Sequence, residues 1–139
     1  MVPTLVLLGT LALATVLGLW WRANQGRVRA ARPSSALPAE LRDLVDPAAP
    51  VTLLQLSTTF CTPCRHTRVL LTDLAAKTEG LRHVDYDVTD HPEVATSIGV
   101  MRTPTTLAVD AHGVEIMRVG GVPKRDTLLE ALRPHLPVA

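Results

Sequence analysis

The stretch Val51-Thr52-Leu53-Leu54-Gln55-Leu56-Ser57-Thr58-Thr59-Phe60-Cys61-Thr62-Pro63-Cys64-Arg65-His66 decides how this chain folds. It opens as a compact apolar run, 51–57, lying between Pro50 and the cysteines, and so reads as a buried strand. Beyond it, Val69, Leu70, Leu74 and Ala75 make an apolar stripe at helical spacing over about 62–77, with Gly80 marking the end. The only two cysteines therefore sit where a buried strand gives way to a helix. A thiol at a helix start feels unpaired backbone N–H groups and the positive end of the dipole, and both favour its thiolate. Arg65, Arg68 and His66 add positive charge nearby.

That placement predicts a division of labour. Cys61 is the more exposed thiol and attacks a disulfide; Cys64, one turn inward on the same face, resolves the mixed disulfide. Pro63 shapes the turn and removes one N–H donor. Half of a zinc site is the competing reading, and it lacks ligands: His66, His83, His91, His112 and His135 show no H-x₃₋₅-H spacing, and there is no second cysteine pair. A purely structural disulfide would close too short a loop to restrain much chain entropy. Asp85, Asp87 and Asp90 read as a charged strand end, because a calcium loop would need a Gly and a terminal Glu that are missing.

Working outward, 81–88 alternates as a second central strand, and 91–98 offers a short helix ended by Gly99. Residues 105–109 and 114–119 flank the turn 110–113 as a hairpin, which Gly120-Gly121 breaks. Leu128, Leu129, Leu132 and Leu136 set up a closing amphipathic helix. Leu37, Leu41, Leu44 and Val45 predict a short opening helix, with Pro38 in its first turn and Asp46-Pro47 as its stop. The order βαβα then ββα implies an α/β domain with a mixed central sheet covered by helices on both faces.

Several segments together resemble the thioredoxin family across residues 37–136. Phe60-Cys61-Thr62-Pro63-Cys64-Arg65 is similar to the family's aromatic-Cys-x-Pro-Cys-basic turn. Val84-Asp85-Tyr86-Asp87-Val88 and His91-Pro92-Glu93-Val94-Ala95 resemble its next strand and short helix. Ile98-Gly99-Val100-Met101-Arg102-Thr103-Pro104-Thr105 is similar to the segment carrying a cis-proline, and Gly120-Gly121 to the glycine beside the substrate groove. The resemblance implies a thioredoxin fold and a redox-active disulfide of Cys61 with Cys64 in place of any other cofactor or metal. It also implies that Pro104 is cis against that disulfide, that the Thr103 backbone pairs with an extended substrate segment, and that Gly120 borders the groove. Phe60, Thr62, Pro63, Arg65 and Gln55 are then the supporting residues. Two departures stand out: Gln55 occupies the position of the family's buried acid, and Ser57 a position usually aromatic. Gln cannot act as a general base, so the inner thiol needs another route for its proton. Thr62 replaces the commonest glycine, and no His lies between the cysteines, which predicts a moderately reducing couple.

The N-terminus differs from all of this. Residues 2–21 contain no charged side chain, and 20 residues at about 1.5 Å each cover roughly the 30 Å of a bilayer core. Trp20, Trp21 and Arg22 close the run as interface residues do, so a single transmembrane helix contacting lipid is expected. A cleaved signal peptide is the alternative, on the pattern Ala12-Leu13-Ala14, but no Lys or Arg precedes the run. Residues 22–36 then read as a basic flexible linker, and 37–139 as the thioredoxin-like domain. Arg22, Arg27, Arg29 and Arg32 all follow the span, which predicts a cytoplasmic domain on a single-pass cell-membrane protein.

Residues 34–139 hold 10 basic and 13 acidic side chains, a net −3, and aromatics are 3% of the chain, which excludes a nucleic-acid surface. The leading expectation is a membrane-anchored reductase of protein disulfides that draws on a separate electron donor. Thiol–disulfide exchange outside the cytoplasm, in exported-protein or cytochrome maturation, is the second reading. A non-catalytic membrane-held binding module is the third.

Overall fold

The computed structural model describes residues 1–31 and 36–137. Helix α1, Val2–Asn24, buries none of its residues. Strand β1, Val28–Ala30, follows, then the single turn α2, Ala39–Arg42. The remaining order is β2 (Val51–Ser57), α3 (Thr62–Lys77), β3 (Leu81–Asp87), α4 (Pro92–Ser97), β4 (Thr105–Asp110), β5 (Glu115–Gly120) and α5 (Arg125–Leu132), closed by a 3-10 turn at Arg133–His135.

These strands form one five-stranded sheet in the order β1-β5-β4-β2-β3. Strand β2 runs parallel to β3 and antiparallel to β4, and all seven of its residues are buried. Because side chains alternate across a strand, Leu54 and Leu56 go to one face while Val51, Leu53, Gln55 and Ser57 go to the other. On the first face they meet Leu41 of α2, Val94 and Ala95 of α4, and Ile98 just beyond it. On the second face Val51 and Leu53 meet Leu71 and Leu74 of α3 and Leu128 and Leu132 of α5. Helices thus cover both faces of a mixed sheet, as expected. Each fully buried leucine contributes about 1.5–3 kcal/mol relative to exposure.

Two expectations need correction. The opening helix is far shorter than the periodicity of 37–45 implies: Pro38 stands outside it as N-cap and the helical stretch ends at Arg42, leaving Leu44 and Val45 to pack from a turn. The basic segment 22–36 is not an unstructured linker in its described part. Helix α1 runs on to Asn24, and Val28, Arg29 and Ala30 pair antiparallel with Val119, Arg118 and Met117, making β1 the edge of the sheet. The physical reason is that β5 offers an open ladder edge, which three extended residues satisfy without an apolar run. Arg32 and the rest of 32–35 lie outside the described residues.

Leu107 is fully buried in the cluster with Leu54 and Leu56. Leu107→Ala should cost about 2–5 kcal/mol, read as a lower urea midpoint with an unchanged slope for the full chain in mild detergent.

Candidate active site

The parallel pair β2 and β3 ends at one pole of the sheet, where β4 begins and β5 finishes. Helix α3 starts there with Cys61 as its N-cap, and Thr62 and Pro63 open the first turn exposed to solvent. Cys61 and Cys64 are joined in a disulfide with Cα atoms 5.2 Å apart. The pair is asymmetric: Cys64 is only 1% exposed, while Cys61 is partly open. The backbone N–H of Cys64 donates to the Cys61 sulfur at 3.1 Å, so one of the helix's unpaired donors already points at that atom. Phe60, 97% exposed, projects beside it, and Arg65 lies exposed on the following turn.

Across from the disulfide, the Thr103–Pro104 bond is cis, as the resemblance implies, and Pro104 is buried. The Thr103 hydroxyl lies 3.9 Å from the Cys61 sulfur and 3.3 Å from the Thr58 hydroxyl. An open groove of about 620 Å³ runs from Thr58 and Thr103 past Met101 and Val100 to Pro92 and Ala95. Gly120 closes the same pole: its carbonyl accepts from the Gly26 N–H at 2.9 Å, and a Cβ on it would meet the Arg102 guanidinium at 2.8 Å.

Beneath Cys64 the polar groups form a chain. Gln55, fully buried, donates through Nε2 to the Cys64 carbonyl at 2.8 Å, and its Oε1 lies 3.0 Å from His83 Nε2. Since Oε1 only accepts, His83 Nε2 carries the proton, and its Nδ1 accepts from the Thr72 hydroxyl at 3.2 Å. His83 is thus the titrating group reached through Gln55. Sequence reasoning reaches it only as a zinc candidate, because its link to Gln55 spans 28 residues and carries no motif. Ser57, at the usually aromatic position, donates to Asp85 at 2.6 Å, and Asp85 is also paired with Arg68. Asp85 is therefore committed to structure. Asp87 accepts from the Thr89 hydroxyl and backbone, which hold its carboxyl below the usual range, with the Thr59 hydroxyl adding to them. Among the described residues no three His, Cys, Asp or Glu side chains converge as metal ligands.

A family model described as Thioredoxin matches residues 35–134. The chain belongs to the thioredoxin family. The thioredoxin of Staphylococcus aureus is 34% identical over 87 residues, 62% of this chain and 83% of its own. A variant thioredoxin from Halobacterium salinarum shares the fold with a TM-score of 0.63 at 24% identity, over 73% of this chain and 88% of its own. The thioredoxin of Fasciola hepatica does so with a TM-score of 0.59 at 24% identity, over 73% and 96%. Family membership and the Cys61–Cys64 pair make the protein a thiol–disulfide oxidoreductase acting on protein disulfides. Helix α1 and strand β1 lie outside the matched thioredoxin segment.

Burial pushes the His83 imidazole below its ordinary value of 6.5; Asp85 opposes the shift and Arg68 adds to it. With the folded value depressed, the neutral ring's stabilising contribution is complete above about 6.5 and is lost as pH falls toward the folded value. The urea midpoint should therefore fall on acidification from pH 7 through the sixes. His83→Gln should flatten that limb, while the carboxylate-driven loss at lower pH persists.

Proposed function

We propose that this thioredoxin-family protein is a membrane-anchored reductase of protein disulfides, with Cys61 as the attacking thiol and Cys64 as the resolving thiol. The observation that carries this reading is the asymmetry of the pair: Cys61 is partly open at the N-cap of α3, and Cys64 is buried one turn in. In the reduced enzyme, the Cys61 thiolate attacks one sulfur of a substrate disulfide, and the other leaves as a thiolate. The Cys64 thiolate then attacks the Cys61 sulfur, which breaks the mixed disulfide and frees the second substrate thiol. The disulfide seen between Cys61 and Cys64 is the product of that cycle. Two electrons and two protons have passed to the substrate, and a separate dithiol donor restores the enzyme.

The neighbours have distinct tasks in this scheme. The Cys64 N–H and the start of α3 favour negative charge on the Cys61 sulfur, with Arg65 adding to the local field. Thr62 and Pro63 set the turn, and Phe60 offers an apolar contact beside it. The Thr103 backbone lies along an extended substrate segment in the groove, between cis Pro104 and Gly120. Gln55 holds the Cys64 carbonyl and ties it to His83, fixing the backbone beneath the inner cysteine, while the Cys64 thiol gives up its proton to water.

Helix α1 supports the anchoring: it is 23 residues long, apolar, and buried nowhere in the domain, features that a signal sequence shares. The arginines after it favour a cytoplasmic domain.

Exchange by the full chain on a protein disulfide should vanish in Cys61→Ser; undiminished turnover rejects the scheme. Cys64→Ser should instead accumulate a mixed disulfide at Cys61. An impermeant thiol label should leave reduced Cys61 untouched in intact cells and modify it after lysis, and labelling before lysis would place the domain outside. The mass of the mature chain should include residues 1–14, because cleavage after Ala14 would remove the anchor.

A further inference from the structure

The way α1 joins the domain restricts where the redox pole can point. Only Arg22, Ala23, Asn24 and Gln25 separate Trp21 from Gly26, and Gly26 is buried against the sheet. Its N–H donates to the Gly120 carbonyl at 2.9 Å, β1 continues along β5, and Ala31 donates to the Ile116 carbonyl at 3.3 Å. Residues 25–31 thus form a collar that is part of the sheet. Gly26 takes a φ of +71°, and a Cβ there would run into the Val122 carbonyl oxygen, so the collar enters the domain by a path that favours glycine.

The collar meets the domain at the redox pole. Gly120 is followed by Gly121, whose N–H donates to the Pro104 carbonyl at 2.8 Å, and Thr103 beside it lies 3.9 Å from the Cys61 sulfur. A short series of contacts therefore joins the end of α1 to the disulfide. A cleft of about 280 Å³ lies between collar and pole, lined by Arg27, Arg29 and Arg102 and by no acidic residue. Arg27, Arg29 and Arg102 have no ion-pair partner among the described residues, and the Arg27 guanidinium donates to the Asn24 side chain at 3.1 Å. Met101, 96% exposed, borders the same cleft.

We infer that the collar fixes the redox pole close to the bilayer, cations toward the headgroups, so that the protein reduces disulfides held at the membrane surface, those of other membrane-bound proteins. This rests on α1 being a retained span. A flexible linker would let the disulfide sample a wide shell above the membrane; an anchor built into the sheet does not. Free soluble proteins are the competing substrate class.

The test uses the full chain, reduced and reconstituted in vesicles of phosphatidylcholine with phosphatidylglycerol. The probe is a disulfide peptide joined to a vesicle lipid through a short or a long polyethylene glycol tether. The native chain should reduce the short-tethered probe about tenfold faster than the long-tethered one, the advantage of a matched reach. Inserting about 20 Gly/Ser residues between Asn24 and Gln25 keeps anchor and collar but frees the domain, and should erase that preference. The same peptide free in solution should be reduced equally by both proteins, showing an intact redox pole in the insertion variant. An identical tether profile for the two proteins overturns the inference and leaves the anchored reductase standing. A native chain that fails to float with the vesicles overturns both.

Discussion

The parallel pairing of β2 with β3 imposes the constraint from which the active site follows. Parallel strands end at the same pole, so the loops after them, with the helix that β2 feeds, have to gather there. Antiparallel β4 and β5 then bring cis Pro104 and Gly120 to that pole from the other side. The site is therefore built from four elements that share no local sequence, and complete burial of β2 holds them in register. A substitution that loosens β2 would disturb both cores, because its side chains alternate between them.

The ground beneath the inner cysteine shows what a neutral side chain changes. An ionised carboxylate at the Gln55 position could only accept hydrogen bonds and would carry a desolvation cost when fully buried. The amide donates and accepts at once, so it joins the Cys64 carbonyl to an imidazole. The chain of hydrogen bonds ends at the half-buried edge of β3, where His83 also touches Thr72. Ser57 follows the same logic in its own place: a small hydroxyl there leaves room for Asp85 and Arg68 to meet.

Much of this architecture is legible in the order of residues alone. The apolar run of β2 and the Cys-Pro-Cys start of α3 carry strong local signals, and the elements begin and end where those signals do. The active-site turn and the cis-proline are readable as a pattern of residue types at fixed offsets. What escapes is long-range or weakly patterned. Strand β1 has three residues, only Val28 half-buried, and two arginine-bearing neighbours, so it shows no apolar period; its pairing depends on an edge 91 positions away. His83 escapes because only the folded register brings it to Gln55. Periodicity overstates the opening helix because Leu44 and Val45 keep a helical spacing while packing from a turn.

Strand β1 also has a consequence for the order of events during synthesis. Val28 leaves the ribosome 91 residues ahead of Val119, the residue it pairs with in the sheet. Contacts this remote in sequence form late, since a long loop must close before they are rewarded. On the proposed anchored reading, α1 enters the bilayer before the sheet is complete, and the nascent domain hangs from a loose tether until β5 is made. On that reading, locking the collar is the step that turns a tethered chain into an oriented enzyme, and a chain truncated before Glu115 would keep the tether but lack the strand that orients it.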